Sequence, residues 1–410
     1  MDFSKGIVAD QDPDQPMPWN LESLLRPPLS FSTTDIVVES IRSFYFEGEP
    51  YRGHPTRVFA FYGTPSHSKG EKLPAVVLVH GGLGTAFSEW VKLWVSRGYA
   101  AIAFDHSGSI PIGSMANWKN NPQGGPPLEA QALDQIDWPL KEQWVYHAVA
   151  DTILACSLLE SFPEIDRDRI GLTGVSWGAV ISSIVAGIDT RFKFVAPVYG
   201  CGFISDEGKD GSCFVGASGG DPVKLRLWRE LWDPANYLPR TRTPMLWTTG
   251  TNDFAFTLAA LHSSYRSAPA PCSLSIHVRM PHGHEGPGEQ PEEIHAFANH
   301  FLRGESPLLQ IRTAGCEGEL AWVDYVSPFP LKRVDLVFTL HKGRWQDRYW
   351  NTLAVDADPS SHRVSTLLPH GVTGFFFNLI DDRGLVVSSE LFECVNAPML
   401  ESERTELFSS

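Results

Sequence analysis

The sequence predicts an α/β architecture, a mostly parallel sheet flanked by helices, followed by a small antiparallel β-sandwich. Three observations carry this expectation. LPAVVLVHGG and YAAIAFD are short, continuous apolar runs separated by a helical stretch, TAFSEWVKLWVSRG. Such runs read as strands buried on both faces, and their alternation with helices implies parallel pairing with right-handed crossovers. The same rhythm returns from about residue 142 to 302. After Gly304 the helical period stops, and short alternating runs separated by turn residues take over.

Taken in order, residues 1–34 are rich in Asp and Pro, with apolar anchors at Trp19 and Leu21, and read as an arm lying over a domain. The stretch from residue 33 predicts two or three antiparallel strands with turns at Gly48 and Gly53. Residues 35–304 form the expected catalytic domain. Residues 107–140 are too long for an ordinary βα connection and predict a lid or binding loop, and residues 200–240 a second excursion holding Gly219 and Gly220. A helix is expected at 142–162, then strands at 169–173, 192–199, 243–249 and 273–280, and a last helix at 291–302. Residues 305–410 contain VDLVFTL, RYWNTLAV, HRVSTLLP, TGFFFNLID and GLVVSSELFE, the strands of the sandwich. A cover for the preceding domain is its expected role, with Trp345, Tyr349 and Trp350 packed on or beside strands.

The chain has 410 residues, 42% hydrophobic and 20% charged, which is ordinary for a globular protein. A net charge of −15 disfavours nucleic acid and, mildly, anionic substrates. No apolar run approaches the roughly 18 residues of a membrane span, and the N-terminus shows no apolar signal core or cleavage site, so a cytoplasmic protein is expected. Six cysteines without a C-x-x-C pair are expected to be reduced. The remaining expectations are a small-molecule ester partner, no membrane partner and no cofactor; homo-oligomerisation is left open.

The chemistry centres on Gly174-Val175-Ser176-Trp177-Gly178, set between a strand and a helix. A serine on a tight strand-to-helix turn projects its hydroxyl above the sheet, and flanking glycines remove the Cβ atoms that would clash. Serine needs a base held by an acid. Asp253 follows one strand and the Pro281-His282-Gly283-His284 segment follows the next, both at the sheet's carboxyl edge. His282, nearer the strand end, is the expected base, with His284 the alternative. The oxyanion donors are expected to be the backbone N–H groups of Trp177 and Gly82, with Leu83 a second choice for the latter, from the His80-Gly81-Gly82-Leu83-Gly84 loop. No H-E-x-x-H, EF-hand or nucleotide-binding glycine pattern occurs, so no metal is expected, although His282, His284 and Glu285 lie together. Trp177, Trp118, Trp138 and Trp144 are proposed as an aromatic substrate wall.

LVHGGLGTAFSEWV, WVSRGYAAIAFD, GLTGVSWG, GTNDF and MPHGH resemble the dienelactone-hydrolase and acetylxylan-esterase-like group of the α/β-hydrolase superfamily, over about residues 40–303. The resemblance implies ester hydrolysis through an acyl-enzyme, with an acetyl ester among the candidate substrates. Dienelactone hydrolases use cysteine where this chain has Ser176, so lactone specificity does not carry over. Two other chemistries on the same fold stay open: a peptidase or amidase of the prolyl-oligopeptidase type, and a non-hydrolytic lyase or cyclase of a biosynthetic pathway.

Overall fold

The computed structural model describes residues 17–129, 133–204, 221–284, 286–358 and 361–394. The chain divides into two compact units, Met1–Leu308 and Leu309–Ser410. The boundary falls four residues beyond the expected one, at the end of the connection that follows the last helix of the first unit.

In the first unit, helix α1 (Leu21–Leu24) precedes β1 (Ser30–Ser32), β2 (Arg42–Tyr51), β3 (His54–Gly63), β4 (Leu73–Val79), helix α2 (Ser88–Ser96) and β5 (Ala100–Phe104). A hairpin, β6 (Ser109–Ser114) and β7 (Asn117–Asn120), occupies part of the first excursion. Helix α3 (Trp144–Ser161), β8 (Ile165–Val175), helix α4 (Trp177–Ala186), β9 (Val195–Val198), β10 (Met245–Gly250) and β11 (Cys272–His277) follow. Further helices span Pro222–Leu231, Leu258–Ser267 and Glu292–Arg303.

The sheet order is β1-β2-β3-β5-β4-β8-β9-β10-β11. Its first strands pair antiparallel and everything from β5 to β11 is parallel. Every residue of β4 and of β5 is buried, the pattern of strands covered by helices on both faces. Helix α3 is buried on almost every side, which an amphipathic surface helix would not be. The arm explains this. Trp19 donates its indole N–H to the Tyr146 carbonyl at 2.8 Å, and Ser157 donates to the Leu24 carbonyl at 2.7 Å. The arm's anchors are therefore Trp19 and Leu24; Leu21, expected as an anchor, is only half-buried.

One expected turn is misplaced. Arg52 (φ 50°) and Gly53 (φ 78°) make the β2–β3 hairpin turn, but Gly48 lies within β2 opposite Thr56. A Cβ at Gly48 would sit 2.6 Å from Thr56 Oγ1 and 2.9 Å from Asp151 Oδ1, so glycine there serves a close approach rather than a bend.

The second unit, described on its own, holds two antiparallel sheets among its described residues. One is β12 (Gln310–Glu317), β13 (Leu320–Val326) and β16 (Arg363–Leu367), in order β12-β13-β16. The other runs β18-β17-β14-β15, from β14 (Leu331–Thr339), β15 (Asn351–Val355), β17 (Gly374–Asp381) and β18 (Val386–Ser388), with β19 (Phe392–Glu393) also on β17. Trp345 and Trp350 are buried, 5.3 Å apart between ring centroids, and Trp350 packs on Phe376; Tyr349 is exposed. Among the described residues no helix is long and apolar enough to cross a membrane.

Candidate active site

The site is built where β8 hands over to α4. Ser176 sits between them with φ 58° and ψ −117°, a backbone conformation that costs about 1–3 kcal/mol for a residue with a side chain. The turn is tight enough to exclude any Cβ on either flank. At Gly174 it would lie 2.2 Å from the Gly178 carbonyl oxygen, and at Gly178 2.0 Å from that of Val79. The elbow is held by the Ser176 N–H donating to the Val198 carbonyl at 2.8 Å and by the Ser176 carbonyl accepting from Ala179 and Val180. Helix α4 begins at Trp177, so its positive dipole end faces the serine.

Asp253 follows β10 and His282 follows β11, and the fold brings them together: His282 Nδ1 lies 2.7 Å from Asp253 Oδ2. The other carboxylate oxygen, Oδ1, accepts the backbone N–H groups of Ala255 and Phe256 at 2.9 and 2.8 Å. The Asp253 side chain is wholly buried. The His282 ring stacks on Tyr199, with Phe254 beside it.

His284 has a carboxylate of its own. Its Nδ1 lies 3.0 Å from Glu289 Oε1, and its Nε2 accepts the Gly81 backbone N–H at 2.8 Å. Since Nε2 accepts, the proton resides on Nδ1 and is donated to Glu289. Gly81 marks how crowded this spot is: a Cβ there would sit 3.0 Å from Ser176 Cβ and 3.2 Å from His284 Nε2. His284 therefore lies against the His80–Gly84 loop and close to Ser176, with Phe87 and Trp90 behind it.

The His80–Gly84 loop carries a residue that the sequence did not single out. Glu129, from the first excursion, accepts the Leu83 backbone N–H on Oε2 at 2.9 Å. Leu83 stands at φ 61° with its N–H already engaged by that bond, so of the two expected candidates Gly82 is the one that remains. Gly82 is wedged: a Cβ would meet Trp177 Cδ1 at 2.6 Å and Glu129 Oε1 at 2.7 Å. Glu129 is buried, and burial raises its pKa to about 7, opposed by the Leu83 hydrogen bond and reinforced by Asp105. No sequence signal marks Glu129; only folding places it against a loop 46 residues earlier.

Behind the loop, His80 and His106 stack with ring centroids 3.7 Å apart, and Asp105 accepts from the backbone of Ser107 and Ser109. Burial pushes Asp105 up to about 6 and His106 down to about 4, so both histidines of the stack are neutral. Of the four tryptophans proposed as a wall, Trp118 donates its indole N–H to the Leu83 carbonyl at 2.9 Å. Trp144 is fully buried and packs edge-on against Trp177 at 5.3 Å, and Trp228, also buried, flanks Trp177 from another side. Trp138 instead lies under the Arg52 guanidinium. Trp144 thus supports Trp177 from the core, and Trp118 and Trp177 are the members next to the Gly82 loop.

Among the described residues no group of three or more His, Cys, Asp or Glu side chains is arranged to hold a metal. Glu285, Cys213 and the Gly219-Gly220 pair lie outside the described residues. Cys156, Cys272, Cys316 and Cys394 are free thiols.

The family model described as acetyl xylan esterase matches residues 21–207. No curated protein sequence matches the chain. Among solved structures, an acetyl xylan esterase from Paenibacillus sp. R4 is 23% identical with a TM-score of 0.54, covering 69% of this chain and 92% of that one. Acetyl xylan esterase 1 from Thermoanaerobacterium sp. JW/SL YS485 is 18% identical with a TM-score of 0.51, covering 70% and 94%. Sheet order, elbow and solved structures agree on the α/β-hydrolase fold, and over residues 21–207 the chain is similar to the acetyl xylan esterases.

Proposed function

We propose that this chain hydrolyses small or medium carboxylic esters, acetyl esters among them, through an acyl-enzyme on Ser176. The observation that carries the reading is Ser176 at φ 58° on the turn into α4, with the Asp253–His282 pair at the neighbouring strand ends. Ser176 Oγ attacks the ester carbonyl while His282 Nε2 takes its proton, and Asp253 holds the Nδ1–H and offsets the imidazolium charge. The oxyanion rests on the backbone N–H groups of Gly82 and Trp177. His282 returns the proton to the departing alkoxide, and a water molecule repeats the sequence to release the acid.

A second reading concerns the base alone. His284 Nε2 and Ser176 Cβ crowd the same point beside Gly81, and Glu289 supplies His284 with a carboxylate. In the preferred reading His284 positions the oxyanion loop through Gly81.

The test is a panel of p-nitrophenyl esters from acetate to octanoate, with wild type and Ser176→Ala side by side. Turnover of the short esters, lost in the variant, is the expected result. A well-folded wild type that turns over none of them contradicts the esterase reading and directs attention to the non-hydrolytic chemistries of this fold.

A further inference from the structure

Glu129 is an unusual group to find beside an oxyanion hole. Its Oε2 is occupied by the Leu83 N–H. Its Oε1 has no hydrogen-bond partner among the described residues, yet lies against Gly82, the proposed oxyanion donor. The side chain is 8% exposed, and among the described residues the charged group coupled to it is Asp105, itself acidic. A nearly buried carboxyl without a counter-charge is costly, and one oxygen left open towards a site calls for a donor from outside the protein. In its ionised form, a carboxylate next to a developing oxyanion would also oppose the reaction. A cation arriving with the substrate would stabilise the ionised form and offset both costs. The surroundings suit one, since the Trp177 and Trp118 indoles flank the same loop and the chain is strongly acidic.

We propose that Glu129 is a substrate-binding carboxyl that selects esters carrying a protonated amine, whose N–H is received by Oε1 beside Gly82. The inference rests on the esterase reading and names its substrate class. Glu129→Gln keeps an acceptor for the Leu83 N–H while removing the charge, so it separates recognition from loop positioning.

The experiment compares kcat/KM for dimethylaminoethyl thioacetate and its neutral isostere isopentyl thioacetate, following thiol release by wild type and Glu129→Gln. The ratio of the two, cationic over neutral, is expected to exceed about tenfold in wild type, the size of one charge-assisted hydrogen bond, and to fall to about one in the variant. A wild-type ratio near one, or a ratio the substitution leaves unchanged, overturns the proposal while the esterase reading stands. Turnover of neither ester, with p-nitrophenyl acetate also inert, overturns the esterase reading and the proposal with it.

Discussion

Replacing Asp253 by Asn tests how the base is held. Oδ1 would survive as an acceptor for the Ala255 and Phe256 N–H groups, so the loop after β10 keeps its shape. The change falls on the 2.7 Å contact with His282 Nδ1, where an amide N–H2 would replace an acceptor. His282 would then keep its proton on Nε2, the nitrogen that must receive the serine proton. In enzymes of this kind the wrong tautomer costs about 10⁴-fold in kcat, equivalent to about 5 kcal/mol of transition-state stabilisation. The assay is kcat on p-nitrophenyl acetate, with a thermal melt to show that the variant is folded. Glu289→Gln is the matched control, because it makes the same change behind His284. The expected pattern is a loss of about four orders of magnitude for Asp253→Asn and a much smaller one for Glu289→Gln. A folded Asp253→Asn enzyme within tenfold of wild type, with Glu289→Gln inactive, would refute the assignment and make His284 the base.

Other consequences follow from single distances. Gly82→Ala places a Cβ 2.6 Å from the Trp177 ring and 2.7 Å from Glu129 Oε1, and displacing the oxyanion donor should lower kcat by about 10²–10³-fold with a smaller effect on KM; wild-type kinetics would show the loop to be elsewhere. Trp19→Ala removes a buried indole that stacks on Tyr146 and touches Trp232 and Tyr237, and should cost about 4 kcal/mol in urea unfolding; under 1 kcal/mol would mean the arm is not part of the folded unit. Asp151 is fully buried with neither carboxylate oxygen partnered among the described residues, and burial, then Glu49 and Asp105, hold its pKa well above the usual range. Its folded pKa is raised, so the stability it permits is intact below about pH 4 and is lost as pH rises towards the folded value. Asp151→Asn should therefore show an advantage over wild type that grows from pH 4 upward in melting experiments; an advantage independent of pH would count against this titration.

The parts of the fold that could be read in the sequence are those where one local pattern has one physical meaning. LPAVVLV, bounded by turn residues, reads as a strand covered on both faces and is one, and G-V-S-W-G between a strand and a helix reads as a strained turn, where the fold leaves Cβ atoms at Gly174 and Gly178 nowhere to go. Strand ends located Asp253 and His282 because an α/β sheet delivers its carboxyl ends to one edge. What escaped was set by distant partners. Gly48 looked like a turn residue and is instead a flat place in β2 that admits Thr56 and Asp151. His284 has the same local context as His282, and only the fold shows its Nε2 taken up by Gly81. Glu129 lies in an aperiodic excursion, where neither period nor spacing distinguishes it from a solvated acid; its burial against Leu83 is a tertiary fact.

The central claim is that Ser176 is an activated nucleophile. Brief treatment with an alkyl fluorophosphonate, followed by intact-mass and peptide mass analysis, tests it most directly. The account predicts one adduct per chain, confined to the peptide holding Ser176 and absent from Ser176→Ala. No adduct on folded wild-type protein, or an adduct that persists in the variant, would contradict it.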